Sequence, residues 1–207
     1  MAEDNDSPGK REQNKASKRR RIREAAAELF TEHGFENTTT AAIAKQAGIG
    51  AGTLYLYVDS KEDLLASVFL EQLSPVWDEA FSRIGPTQPV LEQVLTLFSH
   101  VAEFHERDTN LSRAFLTNLR LAASPVMDHA DHLVKTNNHR LADRFDQLQA
   151  GGRLHPDVST NRLAENLHFV WSAQMVRRHA GRRTREEYVI DIEASFRACL
   201  CGLDLPD

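Results

Sequence analysis

At 207 residues, 41% hydrophobic and 27% charged, the chain is long enough for one large domain or two modest ones with a packed core. No stretch approaches the roughly 18 apolar residues that span a bilayer, and the opening MAEDNDSPGK has no apolar run of a secretory signal. A membrane partner is therefore not expected, and the cytoplasm is the expected compartment. The net charge of −5 speaks against a polyanion partner only if it is evenly spread.

It is not evenly spread. Residues 10–62 hold ten Lys or Arg against seven Asp or Glu, whereas residues 63–207 hold fifteen against twenty. Lys15, Lys18, Arg19, Arg20, Arg21 and Arg23 concentrate the positive charge further. The N-terminal part is the one suited to face a polyanion. A run such as Lys18–Arg21 is commonly a solvated face or a disordered tail; beside a DNA-binding element it adds phosphate or minor-groove contacts.

In chain order, residues 1–14 read as a disordered charged tail. The first helix spans about Lys15 to His33, with Ile22, Ala25, Ala26, Leu29 and Phe30 at three- and four-residue spacing and Gly34 as its stop. Thr38, Thr39 and Thr40 offer caps for a short helix ending near Ala47. Another short helix follows Gly48, about Ala51 to Tyr57. Ser60 caps a longer one carrying Leu64, Leu65, Val68, Phe69 and Leu73, which fades near Ile84-Gly85-Pro86.

Beyond that point the helical patterns fall at about 89–106, 110–122, 125–149, 158–180 and 184–201. Pro125 marks a helix start, and Gly151-Gly152 a stop. No sustained alternation of apolar and polar residues supports a strand. The expected architecture is all-α with about nine helices: a three-helix head over 15–60 and a helical body over 61–207. Cys199 and Cys201 suit neither a disulfide framework nor a zinc site, and read as small buried thiols.

The chemistry concentrates in TTTAAIAKQAGIGAGTLYLYVDSK, residues 38–61. Ile43, Ala44, Ala47, Ile49, Leu54 and Val58 form one apolar seam between two short helices, and Gly48 sits where the turn needs positive φ. The first helix covers this seam from behind, giving a helix-turn-helix. On the outer face Gly50, Ala51 and Gly52 are small enough for close approach to phosphate or base. Ala51 is able to touch a thymine methyl and Thr53 to bond a base or phosphate. Tyr55 and Tyr57 offer hydroxyls to the DNA backbone, and Lys61 a positive charge.

This block resembles the DNA-binding signature of the TetR/AcrR family of transcriptional regulators. The resemblance rests on Gly34-Phe35, Thr38-Thr39, Ile43-Ala44, Ala47-Gly48-Ile49, Gly52-Thr53-Leu54-Tyr55, Tyr57 and Ser60-Lys61-Glu62. It implies phosphate contacts at Thr39 and Thr40, a recognition helix bearing Gly50, Ala51, Gly52 and Thr53, and backbone clamps at Tyr55, Tyr57 and Lys61. Gly50 departs from the serine that often caps the recognition helix, Ala51 from a longer polar residue, and Val58 from phenylalanine. Sparse base contacts shift operator choice toward backbone fit and DNA shape.

The resemblance further implies a homodimer on double-stranded, palindromic operator DNA, released by a small-molecule effector, in the manner of a repressor. The apolar body favours a hydrophobic effector. Phe98, Phe115, Met127, Trp171 and Met175 are the candidate ligand-lining residues, although aromatics and methionines at helical spacing are more often plain core. Leu167, Tyr188, Ile192 and Phe196 are the candidate dimer contacts, although the same stripe is able to close the protomer's own core. A rival reading, a helical small-molecule binder without DNA binding, has only the departures at Gly50 and Ala51 behind it. No Ser/His/Asp set or phosphate-cradling loop points to an enzyme. His129 and His132 beside Asp128 and Asp131 read as a solvated face, so no metal and no cofactor are expected.

Overall fold

The computed structural model describes residues 8–118, 125–201 and 203, without the side chains of residues 8, 10, 11 and 125–127. Among them no strand occurs. The helices are α1 (Pro8–His33), α2 (Thr40–Gln46), α3 (Ala51–Leu54), α4 (Lys61–Ser82), α5 (Val90–Arg107), α6 (Thr109–Asn118), α7 (Pro125–Ala150), α8 (Thr160–His179) and α9 (Arg185–Leu200).

Two of these differ from expectation. α1 starts at Pro8 rather than Lys15, so residues 8–14 are helix and not a disordered tail; residues 1–7 lie outside the described residues. Pro8 suits a first helical position, where its missing N–H costs nothing. Lys10, Arg11, Glu12, Gln13 and Lys15 are all good helix formers, so no breaker separates them from the apolar stripe. α3 ends as a regular helix at Leu54 rather than Tyr57. Its continuation tightens: Leu56 and Tyr57 donate to Thr53 and Leu54, three residues back. The expected 110–122 helix runs to Asn118, and residues 119–122 lie outside the described residues.

Two compact units divide after Leu70, inside α4. The first ten residues of α4 supply Leu64, Leu65, Ala66, Val68, Phe69 and Leu70, all buried, to the N-terminal unit. The rest of that unit's core includes Ile22, Ala26, Phe30, Ile43, Ala44 and Leu54, each at most 1% exposed. α2 packs on both α1 and α3.

In the C-terminal unit α8 is central, packing on α6, α7 and α9, while α5 packs on α6 and α9. α7 ends where Gly152 takes φ +69°; Gly152 and Arg153 then donate to Gln149 and Leu148, closing the last turn. The core is aromatic. The Phe98 ring lies 5.4 Å from Trp171 and 5.3 Å from Phe196, and His168 stacks on Trp77 at 5.6 Å.

The expected dimer contacts take part in this packing. Leu167, Tyr188, Ile192 and Phe196 are all buried inside the protomer. The large apolar side chains left exposed on the same helices are Phe169 (75%), Val189 (50%) and Ile190 (67%). The cysteines differ as well: Cys201 is exposed and Cys199 half-buried, because the buried face of α9 passes through Phe196 and Leu200 instead.

Candidate DNA-binding surface

The turn between α2 and α3 is fixed by backbone geometry. Gly48 has φ +66°, a conformation that opposes any side chain. It allows Ile49 N–H to reach Ala44 C=O at 3.0 Å and Gly48 N–H to reach Lys45 C=O at 3.2 Å, a Schellman closure of α2. The Arg21 guanidinium lies against this turn, 3.6 Å from where a Cβ on Gly48 would stand. Gln46 Nε2 donates to Glu28 Oε2 at 2.6 Å, tying α2 to α1.

At the other end of α2, Thr39 caps: its Oγ1 accepts from Ala42 N–H at 3.1 Å. Thr38 is turned inward, donating to Gly34 C=O at 2.8 Å and engaging Leu29 C=O at 3.1 Å, so it satisfies the open end of α1.

With Leu54 fully buried, α3 turns Gly50, Ala51 and Gly52 outward, with Thr53 partly exposed. Gly50 occupies the N-cap with no side-chain bond. Tyr55 is 57% exposed, and its hydroxyl shares a 3.1 Å hydrogen bond with Thr40 Oγ1. Thr39, Thr40, Gly50–Thr53 and Tyr55 thus form the outer surface of α2 and α3, with Tyr57 half-buried behind them.

Lys61 is set apart from the outward-facing group. Its ammonium donates to Phe35 C=O at 2.9 Å and Thr38 C=O at 3.1 Å, and sits 4.2 Å from the centre of the Phe35 ring. Two of its three N–H bonds brace the loop between α1 and α2. At the head of α4, Ser60 Oγ accepts from Asp63 N–H at 2.9 Å and donates to the Asp63 carboxylate at 3.0 Å.

Two surface residues escaped the sequence reading. Leu56 is 76% exposed, next to Tyr55. Its signal was present: Leu54 and Val58 belong to the seam, and a residue midway between them points away from it. Arg21 belongs to the basic run in sequence, and its contact with Gly48 is visible only in three dimensions.

In the body, the candidate ligand-lining residues Phe98, Phe115, Trp171 and Met175 are buried, and Phe98 and Trp171 pack on each other. The side chain of Met127 lies outside the described residues. A cleft of about 390 Å³ between α5 and α9 has other walls: Ser99, Ala102, Glu103, Glu106, Arg107, Arg185, Tyr188 and Val189. The same unit buries three imidazoles, His105, His168 and His179. Burial, and secondarily the nearby His179, lowers the pKa of His105 to about 3. Burial alone lowers that of His168 to about 4. His179 is lowered too, chiefly by burial, although Glu106 opposes the shift. Burial raises the Tyr188 hydroxyl above its ordinary range. Among the described residues no three His, Cys, Asp or Glu side chains converge to hold a metal, and no helix is long and apolar enough to cross a membrane.

A short helix locked behind a tight turn, with a small-residue outer face, is the arrangement of a helix-turn-helix. Residues 22–68 match the family model for bacterial regulatory proteins of the tetR family. The chain is 34% identical over 110 residues to the fatty acid metabolism regulator protein of Bacillus subtilis, covering 53% of this chain and 56% of that protein. It is 28% identical over 145 residues to the transcriptional regulator UidR of Escherichia coli, covering 69% and 71%. It spans just over half the length of the first of these relatives. The crystal structure of Thermus thermophilus FadR, a repressor in complex with lauroyl-CoA, superposes with a TM-score of 0.73 at 25% identity, covering 91% of this chain and 96% of that one. The head of the chain is thus similar to the DNA-binding domain of the tetR family, and the fold to that of its solved members.

Proposed function

We propose that the protein is a ligand-responsive transcriptional repressor that binds a roughly palindromic operator as a homodimer and leaves it when a small molecule binds. The observation that carries this reading is the outward face of α3. Gly50, Ala51, Gly52 and Thr53 stand clear of the packed head while Leu54, within the same short helix, is fully buried. A helix presented this way reads a major groove, with Tyr55, Thr39 and Thr40 as hydroxyl donors to the flanking phosphates. Two such heads on a twofold axis require half-sites about one helical turn, ~34–36 Å, or a multiple apart.

Dimerisation is supported by Phe169, Val189 and Ile190, large apolar side chains exposed on α8 and α9. The effector belongs to the body, residues 71–207. Long-chain acyl-CoA is the first class to test, because the similar Thermus thermophilus FadR was crystallised with lauroyl-CoA. The effector must bind the off-DNA state more tightly than the DNA-bound one; a coupling of about 1–3 kcal/mol weakens operator binding roughly 5- to 150-fold.

The test is selection of a duplex from a random-sequence pool, followed by titration with wild type and with the Thr53→Ala, Tyr55→Ala variant. The variant is expected to bind at least tenfold more weakly, about 1.4 kcal/mol, at an unchanged thermal midpoint. A wild-type protein that selects no sequence overturns the reading.

A further inference from the structure

The basic run of α1 remains outside the surface just described. Because α1 is helical from Pro8, the positions of its side chains are fixed by helix geometry. Ile22, Ala25, Ala26 and Leu29 form the stripe that packs into the head. Traced toward the N-terminus at the same three- and four-residue spacing, this stripe continues as Arg19, Lys18 and Lys15. It changes from apolar to basic without changing face. The change falls where the head ends: Lys15 and Arg19 are exposed and Lys18 is partly so.

Arg21 fixes where this happens. Its guanidinium lies against Gly48, and Glu28, two turns further along the same flank, holds Gln46. At Arg21, α1 is thus level with the α2–α3 turn, and the residues before it overhang that turn. Lys15 lies about 9 Å further along the axis at 1.5 Å per residue. No acidic residue occurs between Lys15 and Arg23. The next, Glu24, is on the opposite side of the helix, 3.8 Å from Arg20.

We propose that the overhang of α1, through Lys15, Lys18 and Arg19, binds DNA phosphates beside the half-site as an intact helix, extending the footprint of α3. Charge complementarity selects the polyanion, and Arg21 makes the basic face continuous with the helix-turn-helix. The helical state decides the mode. A helix about 10–12 Å across does not enter a minor groove about 6 Å wide, so these side chains reach phosphates from outside and read no bases. This inference rests on the head being DNA-binding.

The experiment uses the full chain and the duplex that wild type selects from a random pool, with Kd measured across a salt series. Each lost phosphate contact lowers the slope of log Kd against log salt by about 0.9. Lys15→Ala, Lys18→Ala, Arg19→Ala is expected to lower the slope by roughly 2–3 per protomer while sequence preference stays the same. Ser17→Pro keeps every charge but ends the helix at residue 17, displacing Lys15 while Lys18 and Arg19 stay helical, and is expected to lower the slope by about 0.9, one contact. An unchanged slope in the triple variant, with wild type binding tightly, overturns the overhang contact and leaves the DNA-binding reading standing. A slope lost in the triple variant but kept in Ser17→Pro overturns the helical mode in favour of a flexible arm. Wild type that selects no duplex sinks both.

Discussion

Gly48 and Gly52 lie four residues apart in one motif, yet alanine at each acts in opposite directions. Gly48 holds φ +66° and faces the Arg21 guanidinium. Alanine there adopts a left-handed conformation at a cost of about 1–2 kcal/mol. Gly52 is helical, and a Cβ built on it meets nothing within 4 Å. Alanine there gains up to about 1 kcal/mol of helix propensity. Thermal unfolding of the two variants is expected to give a lower midpoint for Gly48→Ala and a higher one for Gly52→Ala. DNA titration is expected to weaken for Gly52→Ala despite its greater stability, because the added methyl stands on the face proposed to read DNA. Residues in this motif therefore divide by role. Gly48, Thr38 and Lys61 hold the turn and loops in place, while Gly52, Thr53 and Tyr55 face outward, on the surface proposed to meet DNA.

α8 and α9 each carry apolar residues on two sides. Leu167 on α8 and Ile192 and Phe196 on α9 enter the protomer core, whereas Phe169, Val189 and Ile190 do not. Substitutions on the two sides are expected to separate folding from assembly. Leu167→Ala removes a fully buried side chain and costs about 2–5 kcal/mol, read as loss of helicity at a lower temperature. Phe169→Asp with Ile190→Asp leaves the protomer helical and yields a monomer in sedimentation velocity. A dimer that survives the double aspartate variant would place the interface elsewhere.

Across the C-terminal unit, the buried imidazoles tie stability to pH. His105 and His168 are neutral in the fold down to about pH 3 and about pH 4, whereas an unfolded histidine takes up its proton near 6.5. Below that value the unfolded chain binds more protons than the native one, so acid favours unfolding. Stability from these groups is complete above about pH 6.5 and declines as pH falls through the interval to about 4 and then 3. A series of urea melts from pH 7.5 to 4 is expected to show a falling midpoint. His168→Phe, which keeps the stack on Trp77, is expected to flatten that decline. An identical pH profile for wild type and His168→Phe would remove His168 from this account.

Much was legible in the sequence because it is encoded locally. Helical periodicity, the Thr39 cap, the positive-φ glycine at 48 and the seam through Ile43, Ala44 and Leu54 each depend on residues within a turn or two of one another, and the fold places them as that spacing requires. The same logic presents Gly50 to Thr53 and Tyr55 outward, since burying Leu54 leaves them no other side. The tertiary structure alone decided what depends on neighbours distant in the chain. Lys61 finds the carbonyls of Phe35 and Thr38, more than twenty residues away, and so braces a loop. Leu167, Tyr188, Ile192 and Phe196 turn inward and Phe169 and Ile190 outward, a choice that two apolar faces on one helix leave open. Periodicity names a face, and only the packing partner says what that face meets.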